Sequence, residues 1–183
     1  MKAYFTASVA GKKINEDKYL LVTDALKGNG ITVFSDHIFK RTLDQVMQES
    51  KEDRVAFEKE MHRMISESDF LVAETSFPST SVGYEVSLAQ RLGKTVLLLY
   101  SEADPPSLLA QPADEKLVCE SYTKNNLESI IDDFINFVKG THDIRFTFFI
   151  TPQIGQFLDK IARQKKIPKS VYLRNLIEKE MKD

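Results

Sequence analysis

The stretch Phe70–Tyr100, FLVAETSFPSTSVGYEVSLAQRLGKTVLLLY, decides how this chain folds. Phe70-Leu-Val-Ala73 is an apolar run of strand length. A turn follows, with Pro78 and the hydroxyl residues Ser79, Thr80 and Ser81. Val86, Ala89 and Leu92 then recur at helical spacing, which predicts a helix over 81–92. Thr95–Tyr100 is a second apolar strand. A carboxylate, Glu85, falls on the expected first turn of that helix, directly after a Ser/Thr-rich loop at the end of a buried strand. Two readings stand at this point. Glu85 is a favourable helix-start acid with Tyr84 as a packed aromatic, or it is a nucleophile aimed into a cleft.

Working outward, the same alternation recurs. Lys2–Ala7 reads as a first strand, followed by the small-residue loop Ser8–Lys13. Asn15–Lys27 has helical spacing in Tyr19, Leu20, Thr23 and Leu26, and Gly28-Asn29-Gly30 closes it. Ile31–Phe34 is a second strand, and a polar helical segment runs from about 41 to 68 with a break near Lys51. Leu117-Val-Cys119 and Tyr122 suggest a short last strand, and Leu127–Lys139 a helix. Strands alternating with helices predict an α/β fold, a flavodoxin-like doubly wound parallel sheet with helices on both faces. In such sheets ligands bind outside the carboxyl ends of the strands. Three loops meet that rule: 8–13, 35–37 and 74–85.

The segment from Asp143 changes character. It carries nine Lys/Arg and five Asp/Glu, a net +4, which leaves −6 for the preceding residues of a chain whose total is −2. Arg145–Ile150 alternates as a strand with Phe146, Phe148 and Ile150 on one face, and two short amphipathic helices follow. A lone strand leaves its backbone edge unpaired, so pairing with the same strand of a second chain is expected. Two domains are predicted, 1–140 and 143–183.

With 183 residues and 42% hydrophobic content, the chain can bury one good core and a small second unit. The single cysteine, Cys119, excludes a disulfide framework within the chain. The first residues lack a long apolar centre and no apolar run is long enough to span a bilayer, so a soluble cytoplasmic protein without a membrane partner is expected. His37, His62 and His142 lack metal-ligand spacing, and neither metal nor other cofactor is expected.

Tyr4-Phe-Thr-Ala-Ser8-Val-Ala-Gly11, Ser35-Asp-His37, Ser68–Glu74 and Pro78-Ser79 through Gly83-Tyr84-Glu85 occur in that order. Together they resemble the 2'-deoxynucleoside 5'-phosphate N-hydrolases, within the nucleoside 2-deoxyribosyltransferase-like superfamily, over residues 1–138. That resemblance implies a homodimer or higher homo-oligomer that cleaves or exchanges the base–deoxyribose bond of a small-molecule nucleoside or nucleotide. It implies Glu85 as nucleophile, Tyr4 as the tyrosine that positions it, Ser8, Gly11, Ser79 and Ser81 on the phosphate side, and His37 near the base; the loop reading itself adds Gly83 to a phosphate cradle at the expected helix start. Two positions depart from the family pattern. Met61, with Glu60 beside it, stands where the family has an Asp that aids departure of the base. Ala10 stands where the first loop has a phosphate-binding Arg, although Lys12 and Lys13 are close.

Residues 144–181 resemble a ribbon-helix-helix module. This implies dimerisation through the strand, with Arg145 and Thr147 facing outward toward DNA and Lys169 and Ser170 at a phosphate-clamping place. A dimerisation tail with a solvated basic face reads the same residues equally well. Three functions remain open on sequence: an N-hydrolase or transferase acting through a glycosyl-Glu85 intermediate, a nucleotide-sensing DNA-binding regulator with a weak or inactive pocket, and a structural dimer. Glu85 and Tyr4 together favour the enzyme.

Overall fold

Alternation along β1 (Lys2–Ala7) sets the two faces of the sheet. Ala3, Phe5 and Ala7 point into one apolar cluster and Tyr4 into the other. The protein is seen here as a computed structural model, which describes residues 1–101, 105, 106, 109, 116–140, 150–165 and 169–180. It divides into two compact units, Met1–Ile144 and Arg145–Asp183.

In the first unit, β1, β2 (Thr32–Phe34), β3 (Phe70–Glu74), β4 (Thr95–Tyr100) and β5 (Leu117–Ser121) form one parallel sheet in the order β2-β1-β3-β4-β5. This is the flavodoxin-like order, whose direction reverses between β1 and β3. One face is covered by α1 (Lys12–Gly28) and α6 (Leu127–Val138), through Tyr19, Val22, Leu26, Leu127, Ile131 and Phe134. The other is covered by α4 (Lys51–Glu67) and α5 (Thr80–Arg91), through Met61, Ile65, Val82, Val86 and Ala89. The central strand β3 is buried at every position, as its continuous apolar run requires. Gly30, at φ 72°, and Gly93, at φ 71°, turn the chain out of α1 and α5 into the strands that follow.

Several boundaries differ from the sequence reading. Helix α1 starts at Lys12, so Lys12 and Lys13 are helical rather than loop residues. Leu20 is exposed, and Asn15 and Val22 share the buried face instead. The segment after β2 folds as α2 (Asp36–Phe39) and α3 (Leu43–Met47) before α4. Thr42 and Ser50 each close a capping box at the start of α3 and α4, which explains the breaks. Most consequential, α5 begins at Thr80 with Ser79 as its N-cap, so Glu85 lies in the second turn, not the first. Tyr84 is exposed, not packed.

In the second unit, α7 (Pro152–Lys165) and α8 (Lys169–Glu180) pack with Phe157 edge-on to Tyr172, ring centroids 6.5 Å apart. The expected strand over 145–150 lies outside the described residues apart from Ile150. The ribbon-helix-helix assignment therefore stays an expectation. Among the described residues no helix is long and apolar enough to cross a membrane.

Candidate active site

The topological switch between β1 and β3 puts the side chains of β1 and of the helix after β3 in one crevice. Tyr4 is fully buried on β1, on the face that α5 covers. Thr6, two residues on, projects to the same side by strand alternation. Glu85 comes down from α5 onto this pair and is only 5% exposed. Tyr4 Oη, Thr6 Oγ1 and Glu85 Oε2 are buried, and none has a hydrogen-bond partner of normal geometry. The two hydroxyls still stand close enough to the carboxylate to favour its charged form. Buried polar atoms are costly when unpaired, so three converging orphans make this crevice the candidate site.

Burial dominates the electrostatics here. It pushes Glu85 up to about 7, against the opposing pull of Thr6, Tyr4 and the Arg41 guanidinium. The α5 N-terminus lies more than a turn away, which is why the expected helix-dipole support for an ionised Glu85 does not prevail. Tyr4 is held well above the usual phenol range, by burial and then by the neighbouring Glu85 charge. Tyr4 is thus a neutral donor, and Glu85 is the group poised to change charge near neutrality.

His37 joins this cluster. Its ring stacks on Tyr4 with centroids 4.8 Å apart, and lies 6.0 Å from Phe57 on α4. Both ring nitrogens are unpartnered, and burial, reinforced by the Arg41 charge, lowers its pKa to about 4. His37 is therefore neutral at physiological pH, able to donate from one nitrogen and accept at the other.

The expected phosphate-side residues lie at two neighbouring turns. Ser79 caps α5, its Oγ accepting from Val82 N at 3.4 Å, and Ser81 and Gly83 follow in the first turns. Ser8 is buried in the β1–α1 turn, its Oγ accepting from Gly11 N at 3.1 Å. A Cβ on Gly11 would come within 2.6 Å of Phe77, just before Ser79, so glycine lets these turns approach. Lys12 does not stand in for the missing arginine. Its ammonium donates to the carbonyls of Ile38, Phe39 and Arg41 at 3.1, 3.0 and 2.6 Å, bracing the segment after β2. Met61 is buried in the apolar cluster, and Glu60 turns outward to Arg63, so neither brings an acid to the site. Lys169 and Ser170 fall at the start of α8 with side chains outside the described residues, as Arg145 and Thr147 are entirely.

Sequence reading missed Arg41, Phe57 and Thr6. Arg41 pairs with Glu49 and lies over the Phe57 ring at 4.2 Å. Only Thr6 carried a signal, its i+2 spacing from Tyr4. Glu74, at the end of β3, is a second fully buried carboxylate on the opposite face. It accepts from Ser76 Oγ and from Tyr122 Oη at 3.2 Å, and burial raises its pKa. Among the described residues no three His, Cys, Asp or Glu side chains gather as a metal site.

No protein-family model matches the chain. The 5-hydroxymethyl-dUMP N-hydrolase of Tetraodon nigroviridis is 28% identical over 141 residues, covering 74% of this chain and 98% of that protein. A solved structure, the CMP N-glycosidase of Clostridium botulinum, covers 72% of this chain and 99% of its own at 20% identity and a TM-score of 0.46. A Methanosarcina barkeri protein named "Putative 2'-deoxynucleoside 5'-phosphate N-hydrolase 1" is 31% identical over 138 residues, covering 73% of this chain and 84% of its own. With that share of one relative's length matched at that identity, the chain belongs to the 2'-deoxynucleoside 5'-phosphate N-hydrolase family.

Proposed function

We propose that the first unit hydrolyses the N-glycosidic bond of 2'-deoxynucleoside 5'-monophosphates through a covalent glycosyl-Glu85 intermediate. The observation that carries this reading is the buried carboxylate Glu85, with a pKa near neutrality, beside the unpartnered hydroxyls of Tyr4 and Thr6. In the first step a Glu85 oxygen attacks C1' and the bond from C1' to the base nitrogen breaks. Its electron pair leaves with the base, which takes up a proton from solvent. In the second step a water oxygen attacks C1', frees Glu85 and passes a proton to solvent. Tyr4 and Thr6 hold the carboxylate on line, and Ser8, Gly11, Ser79, Ser81 and Gly83 are the proposed cradle for the 5'-phosphate. With Met61 in the apolar cluster, the base departs without an acid from that position. Incubation with 2'-deoxynucleoside 5'-phosphates and chromatography of the products should show free base and 2-deoxyribose 5-phosphate in equal amounts. Intact substrate at enzyme concentrations above that of the nucleotide would rule the activity out.

The second unit is read as a self-association module. Among the described residues of this unit, Ile150, Ile154, Phe157, Leu176 and Ile177 are all exposed, a large apolar surface for so small a unit. A second copy of the chain, paired through 145–150, is the expected cover. The net +4 of residues 143–183 adds the reading that Arg145 and Thr147 face DNA while Lys169 and Ser170 clamp its phosphates. Sedimentation should show a dimer at micromolar concentration, and a monomer would remove this role. DNA affinity that falls steeply with salt would separate the DNA reading from assembly alone.

A further inference from the structure

A cavity of about 270 Å³ is lined by Phe57, Glu58 and Met61 of α4 and by Ser81, Tyr84 and Glu85 of α5. On the α4 side it is lined by the Phe57 ring and the buried, apolar Met61, and Glu85, the proposed nucleophile, also lines it. Its outer end is polar: Tyr84 Oη donates to Glu58 Oε1 at 3.3 Å, a long bond that is readily exchanged. Glu58 is exposed, and neither the Tyr84 nor the Glu58 side chain serves the apolar core. The cavity thus offers a slot for an aromatic ring, ending in a carboxylate beside a hydroxyl.

Resting on the hydrolase reading above, we propose that this cavity is the base slot and that Glu58 and Tyr84 select cytosine. The chemistry is complementary. A carboxylate accepts and cannot donate, so it pairs with an exocyclic amine, as acidic side chains do with cytosine N4. The adjacent ring nitrogen of cytosine, N3, is an acceptor, and the Tyr84 hydroxyl can turn its proton from Glu58 to that atom. Uracil places a carbonyl oxygen against the carboxylate and an N–H against the hydroxyl. The carbonyl is repelled by the carboxylate, because two acceptors that face each other share no proton. Glu85 keeps its role whichever base is bound, so the selection acts through binding of the base and not through the nucleophile.

The test separates this assignment from the hydrolase reading by measuring binding without turnover. Titration calorimetry of Glu85→Gln with 2'-deoxycytidine 5'-phosphate and 2'-deoxyuridine 5'-phosphate should show the cytosine nucleotide binding about 5- to 150-fold tighter, the span of one good base-edge pair. Adding Glu58→Gln supplies an amide N–H for the uracil carbonyl and should erase or invert that ratio. Glu58 lies on the surface, so the substitution leaves the core untouched, and circular dichroism checks the fold. Equal affinities in Glu85→Gln, a preference for the uracil nucleotide, or a ratio unmoved by Glu58→Gln overturns the assignment. Selective binding of the cytosine nucleotide by a wild type that releases no cytosine overturns the hydrolase reading and leaves the slot standing.

Discussion

Glu85→Gln is expected to abolish base release while making the protein more stable at alkaline pH. Removing a covalent nucleophile costs about 10⁴-fold or more in other covalent enzymes. Glutamine is the isostere, so the cavity keeps its shape, and its amide can donate to the unpartnered Tyr4 and Thr6 oxygens. The stability effect follows from the pKa. A carboxyl raised from 4.5 to about 7 on folding binds its proton more tightly in the native state. Between those two values the native chain holds more protons than the unfolded one, so stability falls as pH rises across that window. Above pH 7 the full cost is on the order of 3 kcal/mol. The glutamine variant is free of it. At pH 8 its melting temperature should lie about 6–12 °C above wild type, and at pH 4.5 the two should nearly coincide. Other titrating groups, Glu74 among them, are common to both proteins and cancel in the difference. A variant with unchanged base release, or one no more stable at pH 8, would contradict the assignment of Glu85 as a buried, desolvated nucleophile.

The second large effect is in the pH dependence of the reaction. The attacking form of Glu85 is the carboxylate, so kcat/KM should rise with pH and level off above about 7. Two pH units below that point the rate should be down about 100-fold, one decade per unit. His37 adds no limb between pH 5 and 8, because it is neutral above about 4. Arg41 tunes the midpoint. Its positive charge favours the Glu85 carboxylate, so Arg41→Met should move the rise to higher pH and cost more activity at pH 6 than at pH 8.5. Methionine keeps contact with the Phe57 ring, and Glu49→Gln in the same chain removes the carboxylate that would lose its partner. A profile flat from pH 5 to 8, or a midpoint unmoved by losing Arg41, would show that Glu85 does not limit the reaction in this range.

The sequence by itself determined the layers. Continuous apolar runs at 70–73 and 95–100 could only be buried parallel strands, and helical periodicity between them supplied the covering layer, because burial of that much apolar surface dominates local choice. Glu85 is conspicuous as a carboxylate directly after a Ser/Thr-rich loop at the end of a buried strand, whereas Tyr4 is singled out only by the resemblance to the family. The tertiary structure decided how the site is wired. Arg41 reaches the crevice only because Lys12 ties down the backbone after β2 and Glu49 and Phe57 hold its side chain, contacts between residues from 8 to 29 positions apart that no local pattern encodes. Glu85 carries a pKa near 7 because the fold buries it in the second turn of α5, beyond the reach of the helix N-terminus that the sequence spacing predicts beside it. Desolvation depends on everything packed around a group. Charge state is therefore a property of the folded crevice, while the presence of the carboxylate is a property of the chain.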